Sequence, residues 1–243
     1  MRKSGLWDQV AQMQAQVKAG VQEARNQAKA SGWEILTDEQ FARLARAIDT
    51  AFAPGITRET LALHLEEYIA PADEQEVLKW LSSDLGARFT QLEIAAGANE
   101  ALGNSRSEGA KMVAALPKAR LQKFQRLAAA LDSGETTAGL TINMTSVIVY
   151  GIGLVTPGTD ADASAVAIRR RMEAQRAEMA QRYTARAIEN YAYTYRGVPD
   201  AQVESYVRFA ESQAARRYHA GGIKAMDATL SQAALGMGRA LGP

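Results

Sequence analysis

The sequence offers only two histidines, and one of them has the spacing of a metal-binding pair. His64 and Glu67 lie one helical turn apart, so their side chains could bind one ion together. A metal site needs further ligands, and the chain contains no cysteine that could supply them. We therefore predict no metal site, an exposed position for His64 and a local packing or polar role for His219.

Covalent catalysis requires a nucleophile, a base and an orienting group, and no motif in the sequence supplies them. The chain has no G-x-S-x-G, G-x-x-x-x-G-K-[ST] or G-x-G-x-x-G motif. Ser83 and Ser212 are better explained as helix caps. Paired carboxylates fall at predicted helix starts or on polar faces, as in Glu66-Glu67, Asp73-Glu74 and Asp160-x-Asp162. We predict no catalytic residue and no cofactor, and an enzyme only if distant residues assemble its site.

The longest uncharged run, Thr136–Thr159, could offer a small molecule an apolar environment. It exceeds the about 20 residues of a membrane span, but threonines, Asn143, Ser146 and four glycines lower its apolarity. We predict a buried bundle helix, with a membrane span and a buried strand as alternatives. Polar groups on a buried helix need partners, and they can also line a ligand pocket. The predicted ligand-binding residues are Thr141, Asn143, Thr145 and Tyr150.

Composition restricts the class of protein. The chain has 243 residues, of which 47% are hydrophobic and 23% charged, as is typical of a globular protein with a sizeable core. The scarcity of proline, with 6 residues, favours helices. Because the formal net charge is only +1, no global field attracts nucleic acid, and we predict no nucleic-acid partner.

Apolar residues recur every three or four positions along nearly the whole chain, which predicts helices. An amphipathic helix is predicted over residues 6–30, and a capping box at Thr37-Asp38-Glu39-Gln40 predicts the start of the next. Thr57 is predicted to cap a third helix, Gly103–Gly109 to form an exposed loop, and residues 161–195 to form one long helix. No segment is a convincing strand. The apolar stripe of the first helix comprises Trp7, Val10, Met13, Val17, Val21, Ala24 and Ala28.

The second half of the chain repeats a pattern from the first. The first copy reads Tyr68…Asp73-x-Gln75, then Trp80-x-x-Ser83-x-Leu85-Gly86-x-Arg88. The second reads Tyr195…Asp200-x-Gln202, then Phe209-x-x-Ser212-x-Ala214-Ala215-x-Arg217. In each copy we expect the aromatic residue to fill the core, the serine to cap a helix, the small residue to admit a neighbouring helix and the arginine to pair with an acid. The expected structural residues are Trp80, Ser83, Gly86, Arg88, Phe209, Ser212 and Arg217.

This repeated unit resembles an uncharacterised all-helical family of exported proteins of Gram-negative bacteria. The family pattern is an acidic short helix followed by aromatic-x-x-Ser-Pro-x-Gly and a basic or polar residue. The sequence departs from it at Asp84 and Gln213, which replace proline, and at Ala215, which replaces glycine. The resemblance implies an all-helical fold and residence in the periplasm, with the native signal peptide removed and the cytoplasm as the alternative. It implies no activity and no catalytic residue.

Together these patterns predict an all-α fold, a single bundle of about eight to ten helices with a pseudo-twofold repeat around the central uncharged helix. Within one domain over residues 1–243, copy one occupies residues 57–102, the connecting and central helices 117–155, and the long helix and copy two 161–241. The predicted function is that of a non-enzymatic envelope protein that acts through a protein partner or as a scaffold. The alternative is a carrier or sensor of a small apolar ligand beside the central helix. We predict that the chain is not an integral membrane protein, and the sequence does not specify its oligomeric state.

Overall fold

The computed structural model describes the backbone of residues 6–100 and 104–241 and the side chains of residues 12–96 and 108–241. The chain is 86% helical, and no strand occurs in the described ranges, so the predicted all-α class is confirmed. The helices are α1 (Leu6–Ala30), α2 (Asp38–Ala51), α3 (Pro54–Tyr68), α4 (Pro71–Ser82), α5 (Asp84–Glu100), α6 (Asn104–Ala115), α7 (Lys118–Ala130), α8 (Ser133–Val155), α9 (Ala161–Glu173), α10 (Arg176–Thr194), α11 (Asp200–Ala210) and α12 (Gln213–Leu241).

Twelve helices lie in the described ranges, where about eight to ten were predicted. The segment predicted as one long helix is divided into α9 and α10 by a turn at Ala174 and Gln175, where Gln175 N–H bonds to Met172 O at 2.9 Å. The predicted loop is also wrong beyond residue 103, because α6 begins at Asn104. Gly103 itself lies outside the described residues.

The start of α2 confirms the predicted capping box. The Thr37 hydroxyl accepts from Gln40 N–H at 3.2 Å, and Thr37 N–H donates to Gln40 Oε1 at 2.7 Å. Two backbone donors at the start of the helix therefore find side-chain acceptors. The Gln40 amide also donates to Val155 O at 2.8 Å, which fixes the start of α2 against the end of α8.

The start of α3 differs from the prediction. The helix begins at Pro54, where the fixed φ of proline suits the first turn and its missing N–H costs nothing. Thr57 is therefore inside the helix, and its hydroxyl donates to Ala53 O at 3.1 Å instead of capping the first turn. Because α3 begins about one turn earlier than predicted, Thr57 belongs to the buried face of the helix and does not cap it.

The described residues divide into two compact units. Unit 1 comprises Tyr68–Ala138 and Arg176–Ile223, and unit 2 comprises Leu6–Glu67, Gly139–Gln175 and residues 224–241. Both α8 and α12 contribute residues to each unit. The prediction of a single bundle with a central helix and a repeat stays a prediction.

The core of unit 1 is rich in aromatic side chains. The rings of Phe89, Phe124 and Tyr195 are buried and lie among residues of α5, α7, α10 and α11. Valines of α11 complete this core, with Val203 and Val207 fully buried. Such rings bury large apolar areas in contact with one another, and this packing is the main apolar contribution to the stability of unit 1.

Aliphatic and methionine side chains dominate the core of unit 2. It combines the apolar faces of α1, α2, the second part of α8 and the second part of α12. Within the predicted stripe of α1, Met13, Val17 and Val21 are buried, while Trp7 and Val10 have side chains outside the described range. Other members of this core are Leu36, Leu44, Ile48, Phe52, Val147, Val155, Met226, Leu230 and Met237.

The uncharged run forms helix α8, so the strand alternative is wrong. Positive φ angles of 45° at Asp132 and 73° at Gly158 mark the turns before and after it. With a mean hydropathy of 1.6 over its most apolar window, α8 is the one described helix long and apolar enough to cross a membrane, a property shared by core helices of soluble proteins. Among its residues only Thr137 is exposed, and the others are buried or half-buried.

Candidate functional site

The four ligand-binding residues predicted on α8 do not converge on one face. Thr141 and Thr145 lie one turn apart on one stripe, and Asn143 and Tyr150 lie two turns apart on another. Asn143 Nδ2 donates to Asp227 Oδ1 of α12 at 2.6 Å. All four are half-buried. None of them lines the cavity between α2, α3 and α12 described below, or either of two further cavities of about 630 and 190 Å³ in the described part of the chain.

Tyr150 packs against the second part of α12. A Cβ atom placed on Gly238 would stand 2.9 Å from the Tyr150 hydroxyl, so only a glycine fits there without displacing the tyrosine. Burial raises the pKa of Tyr150, and the negative charge of Asp162 raises it further. The phenol is therefore a neutral hydrogen-bonding group, and its contact with Gly238 gives it a packing role.

The aromatic residues of the two motif copies meet in unit 1. The rings of Trp80 and Phe209 stack with centroids 4.6 Å apart and an angle of 10° between their planes. Tyr206 stacks on the same indole at 5.8 Å. Offset stacking at these separations is a favoured arrangement of aromatic side chains. The two motif aromatics therefore stabilise unit 1 jointly.

The motif serines occupy corners that have two hydrogen bonds in common, and the Ser83 hydroxyl additionally donates to Trp80 O at 2.6 Å. Ser83 N–H donates to Trp80 O at 2.9 Å, and the Ser83 hydroxyl accepts from the N–H of Gly86 at 3.1 Å. In the second corner, Ser212 N–H donates to Phe209 O at 3.0 Å, and the Ser212 hydroxyl accepts from Ala215 N–H at 3.2 Å. Both serines thus cap the helix that follows them.

Gly86 stands in a corner that excludes a larger residue. A Cβ atom on it would lie 2.0 Å from the carbonyl oxygen of Trp80, well inside van der Waals contact. The second motif has Ala215 at this position, and its corner has room for the buried methyl group. The first corner is therefore the tighter of the two.

The motif arginines each contact the other copy. Arg88 Nη1 donates to the amide oxygen of Gln202 at 2.7 Å and not to the acid expected from the sequence. Arg217 makes the expected pair, a two-pronged contact with Asp73 at 2.8 and 2.6 Å. Asp73 is 4% exposed, whereas half of the Arg217 side chain is exposed, so the arginine covers the carboxylate on the solvent side. Hydrogen bonds and charge from Arg217 hold the pKa of Asp73 below its usual value, outweighing partial desolvation. The motif residues thus form one structural assembly.

A carboxylate in the aromatic part of unit 1 was not anticipated from the sequence. Glu93 Oε1 accepts from Tyr195 Oη at 2.7 Å and from Tyr206 Oη at 2.9 Å. Desolvation raises the pKa of Glu93 and the two hydrogen bonds oppose this, although the rest of the residue keeps contact with solvent. Glu93 thus links two tyrosines of the aromatic core of unit 1, and we assign it a structural role.

The two histidines lie in different surroundings. His64 Nδ1 lies 3.3 Å from Glu67 Oε2, and the described residues contain no group of three or more acids and histidines able to hold a metal. His64 is half-buried rather than exposed. His219 lies 3.4 Å from Thr136 Oγ1, and burial lowers its pKa.

A cavity of about 360 Å³ lies in unit 2, between the end of α2, the first two turns of α3 and the last part of α12. Four threonines line it. Thr50 is exposed, and the other three are almost inaccessible to solvent: Thr57 at 2%, Thr60 at 9% and Thr229 at 1%. Its rim carries the exposed polar side chains of Gln232 and Arg239. Volume and composition fall within the range of small-molecule sites, which are mainly apolar with a few polar groups.

The three hydroxyls differ in their hydrogen bonds. Thr57 donates to Ala53 O at 3.1 Å and Thr229 to Ala225 O at 2.7 Å, so both are satisfied within their own helices. Thr60 has no hydrogen-bond partner in the described part of the chain. A buried hydroxyl without a partner costs about 1–3 kcal/mol, which a bound ligand or water would recover.

Helical spacing explains why these residues share one wall. Thr57 and Thr60 are one turn apart on the α3 face that also buries Leu61. On α12 the lining residues recur at the same spacing, as Thr229, Gln232, Ala233, Gly236, Arg239 and Ala240. The small residues Ala233 and Gly236 permit close approach, and a Cβ atom on Gly236 would stand 3.3 Å from Ala51 Cβ.

The sequence contained a weak signal for this site. Thr57 and Thr60 are polar residues at positions where the apolar period of α3 predicts burial. Polar residues on the buried face of a helix can line a binding cavity. The signal was lost because Thr57 was interpreted as a cap. The pairing of α3 with the last part of α12 has no local signal, since it joins segments about 170 residues apart.

The chain matches no protein-family model, no curated protein and no solved structure.

Proposed function

We propose that the protein binds a small molecule in the threonine-lined cavity of unit 2, as a carrier or sensor. The observation that supports this most directly is the hydroxyl of Thr60, which is 9% exposed, lies on the wall of a cavity of about 360 Å³ and has no partner among the described residues. Buried polar groups in folded proteins nearly always have a partner. A ligand with a hydrogen-bonding group near Thr60 and an apolar body would supply that partner and fill the space.

This proposal keeps the class of function expected from the sequence and changes the location. The carrier hypothesis placed the ligand beside α8, at Thr141, Asn143, Thr145 and Tyr150. The geometry instead favours α2, α3 and α12, where the cavity is.

Isothermal titration and thermal unfolding with two eight-carbon probes, 1-octanol and octanoate, test the proposal. At about ten times Kd a bound probe adds about 1.4 kcal/mol, which raises the Tm by about 3–6 °C. Ala240→Leu places a larger side chain at the cavity wall and should abolish binding. Ser231→Leu adds the same side chain at an exposed position of α12 that does not line the cavity, and should leave binding intact. Failure of both probes to bind the unmodified protein would contradict the proposal.

A second candidate is the interaction with a protein partner or scaffold. The observation that favours it is the exposure of Ile56 at 53% and Leu63 at 67%, two turns apart on one face of α3. Exposed apolar side chains in register can mark a binding surface. A photo-crosslinking residue at Leu63 should capture one reproducible partner, and the same residue at exposed Lys79 should not. Equal patterns at the two positions would count against this function.

We also propose that the protein resides in the periplasm. The support is the resemblance carried by Trp80, Ser83 and Gly86 of copy one and by Phe209 and Ser212 of copy two. Fractionation of the native cells, with antibody detection, should place the protein in the periplasmic fraction. Recovery with the cytoplasmic marker would contradict the proposal.

A further inference from the structure

We propose that the ligand is an amphiphile with an oxyanion, and that Arg43, Arg46 and Arg239 bind its charged group. This inference rests on the proposed function, because the same cavity has to hold the apolar part of the ligand. It adds the chemical class of the ligand and the position of its charged group, near the three arginines.

The first observation is a second cavity that adjoins the first. It has a volume of about 190 Å³, and Arg43 and Arg46 form part of its wall. Thr50 and Ala240 line both cavities, so the two spaces share an edge. Arg239 lines the first cavity next to Ala240. A ligand in the threonine-lined cavity can therefore extend past this shared edge to the arginines.

The arginines are placed there by helical register. Arg43, Arg46, Ala47 and Thr50 recur at three- and four-residue spacing and share one face of α2. Arg239 comes from the last turn of α12, on the same stripe as the cavity residues of that helix. Two helices thus contribute cations to the walls of two neighbouring cavities.

The second observation concerns the charge of these arginines. No carboxylate in the described part of the chain forms an ion pair with any of the three. The nearest acid along α2, Asp49, is occupied by α1, accepting from Gln14 at 2.8 Å and pairing with Lys18 at 2.5 Å. Other arginines of the chain, such as Arg126 and Arg217, are paired with carboxylates.

Within the described part of the chain none of the three arginines has a carboxylate partner, and a bound oxyanion would supply one. The planar guanidinium group binds carboxylate and phosphate through two parallel hydrogen bonds. All three arginines are exposed, so the charged group would stay near solvent while the apolar part enters the cavity. An alkyl carboxylate and an alkyl phosphate both fit this description.

Titration with four probes tests whether binding depends on the anionic group, on the apolar chain or on both. The probes are octanoate, octyl phosphate, 1-octanol and inorganic phosphate. We expect the two anionic amphiphiles to bind about tenfold or more tightly than 1-octanol, because the arginines add charge-assisted hydrogen bonds. Inorganic phosphate should bind more weakly than octyl phosphate, since it leaves the apolar cavity empty. Equal affinity for inorganic and octyl phosphate would overturn the amphiphile inference.

A triple variant tests the arginines. Arg43→Gln with Arg46→Gln and Arg239→Gln should weaken octanoate binding about tenfold and leave 1-octanol binding unchanged. The matched control replaces Arg169, Arg170 and Arg171, three exposed arginines of α9 that line neither cavity, and loses the same net charge. Its octanoate affinity should equal that of the unmodified protein.

The outcomes distinguish this inference from the proposed function. If 1-octanol and octanoate bind equally and the triple variant has no effect, the anionic class is wrong while the cavity remains a ligand site. If no probe binds, the proposed function itself fails. A membrane surface is the other partner for exposed arginines, so sedimentation with vesicles of anionic phospholipid completes the test. Vesicle binding that persists in Ala240→Leu and disappears in the triple variant would overturn the inference.

Discussion

At the scale of single residues, the threonines of unit 2 show that burial alone does not define a binding group. Thr57 and Thr229 are even more buried than Thr60, but their hydroxyls donate to carbonyl oxygens one turn earlier. Such bonds within a helix satisfy a hydroxyl without any tertiary partner. In the described part of the chain the Thr60 hydroxyl has no such bond, so it is a buried polar group on the wall that a ligand can engage.

This difference predicts opposite effects of one substitution. Thr60→Val keeps the shape of the side chain and removes a buried hydroxyl that has no partner, so it should stabilise the ligand-free protein by about 1 kcal/mol. Thr57→Val removes a made hydrogen bond and should destabilise it by about 0.5–1 kcal/mol. Thermal unfolding of the ligand-free protein measures both. Equal destabilisation by the two changes would show that Thr60 has a partner.

The Asp73–Arg217 pair predicts a dependence of stability on pH. Because Arg217 lowers the pKa of Asp73 in the folded protein, the pair stabilises the fold above the ordinary value of 3.8. That contribution is lost as pH falls through the lowered pKa. Arg217→Gln should therefore be less stable than the unmodified protein at pH 7, and the difference should shrink below about pH 4.

Urea unfolding at several pH values measures this difference. Arg208→Gln is the matched control. Arg208 is an exposed arginine of α11, and it forms no ion pair with a carboxylate in the described part of the chain. Its stability should follow that of the unmodified protein at every pH. A difference for Arg217→Gln that persists unchanged at pH 3 would exclude the ion pair as its cause.

At the scale of elements, small residues decide where the helices approach one another. Gly221 and Gly222 are adjacent in α12 but face different surroundings. A Cβ atom on Gly221 would lie 2.6 Å from Tyr68 O, whereas one on Gly222 would meet nothing within 4 Å. The end of α3 therefore packs on the backbone of α12 at Gly221.

These neighbours form a matched pair of substitutions. Gly221→Ala forces a side chain against a backbone carbonyl and should destabilise the protein by about 1–3 kcal/mol. Gly222→Ala improves helix propensity in open space and should stabilise it by about 0.5–1 kcal/mol. Thermal unfolding compares the two. The close contact would be refuted by stabilisation in both variants.

At the scale of the whole molecule, the two units have different cores. Unit 1 depends on aromatic side chains such as Phe124, and unit 2 on aliphatic ones such as Leu61. Each unit combines segments that are distant in sequence. We expect each to behave as a local unit of stability.

Hydrogen exchange tests this expectation. Leu61→Ala and Phe124→Ala each remove a fully buried side chain and should cost about 2–5 kcal/mol. The first should accelerate amide exchange mainly in unit 2 and the second mainly in unit 1. Equal acceleration throughout the chain by either variant would show a single cooperative unit.

Local patterns in the sequence were sufficient for several features of the structure. The capping box at Thr37 and the period of Met13, Val17 and Val21 depend on residues within one or two turns of each other. The same holds for the caps made by Ser83 and Ser212. The two failed predictions also involved local signals. At Thr57 the preference of Pro54 for the first turn of a helix outweighed the capping preference of threonine. After residue 103 the polar composition was interpreted as a loop, but the segment is helical from Asn104.

The sequence by itself determined that the chain is all-α, because helix periodicity, scarce proline and caps act over short distances. Only the tertiary structure decided which helices line a cavity. The threonine-lined cavity requires α2, α3 and α12 to meet, and no residue of α3 specifies α12 by its local pattern. Among the described residues, the Thr60 hydroxyl has no hydrogen-bond partner and the three arginines have no acidic partner. Both features depend on how α2, α3 and α12 pack together. They result from contacts between distant segments, which spacing along the chain does not encode.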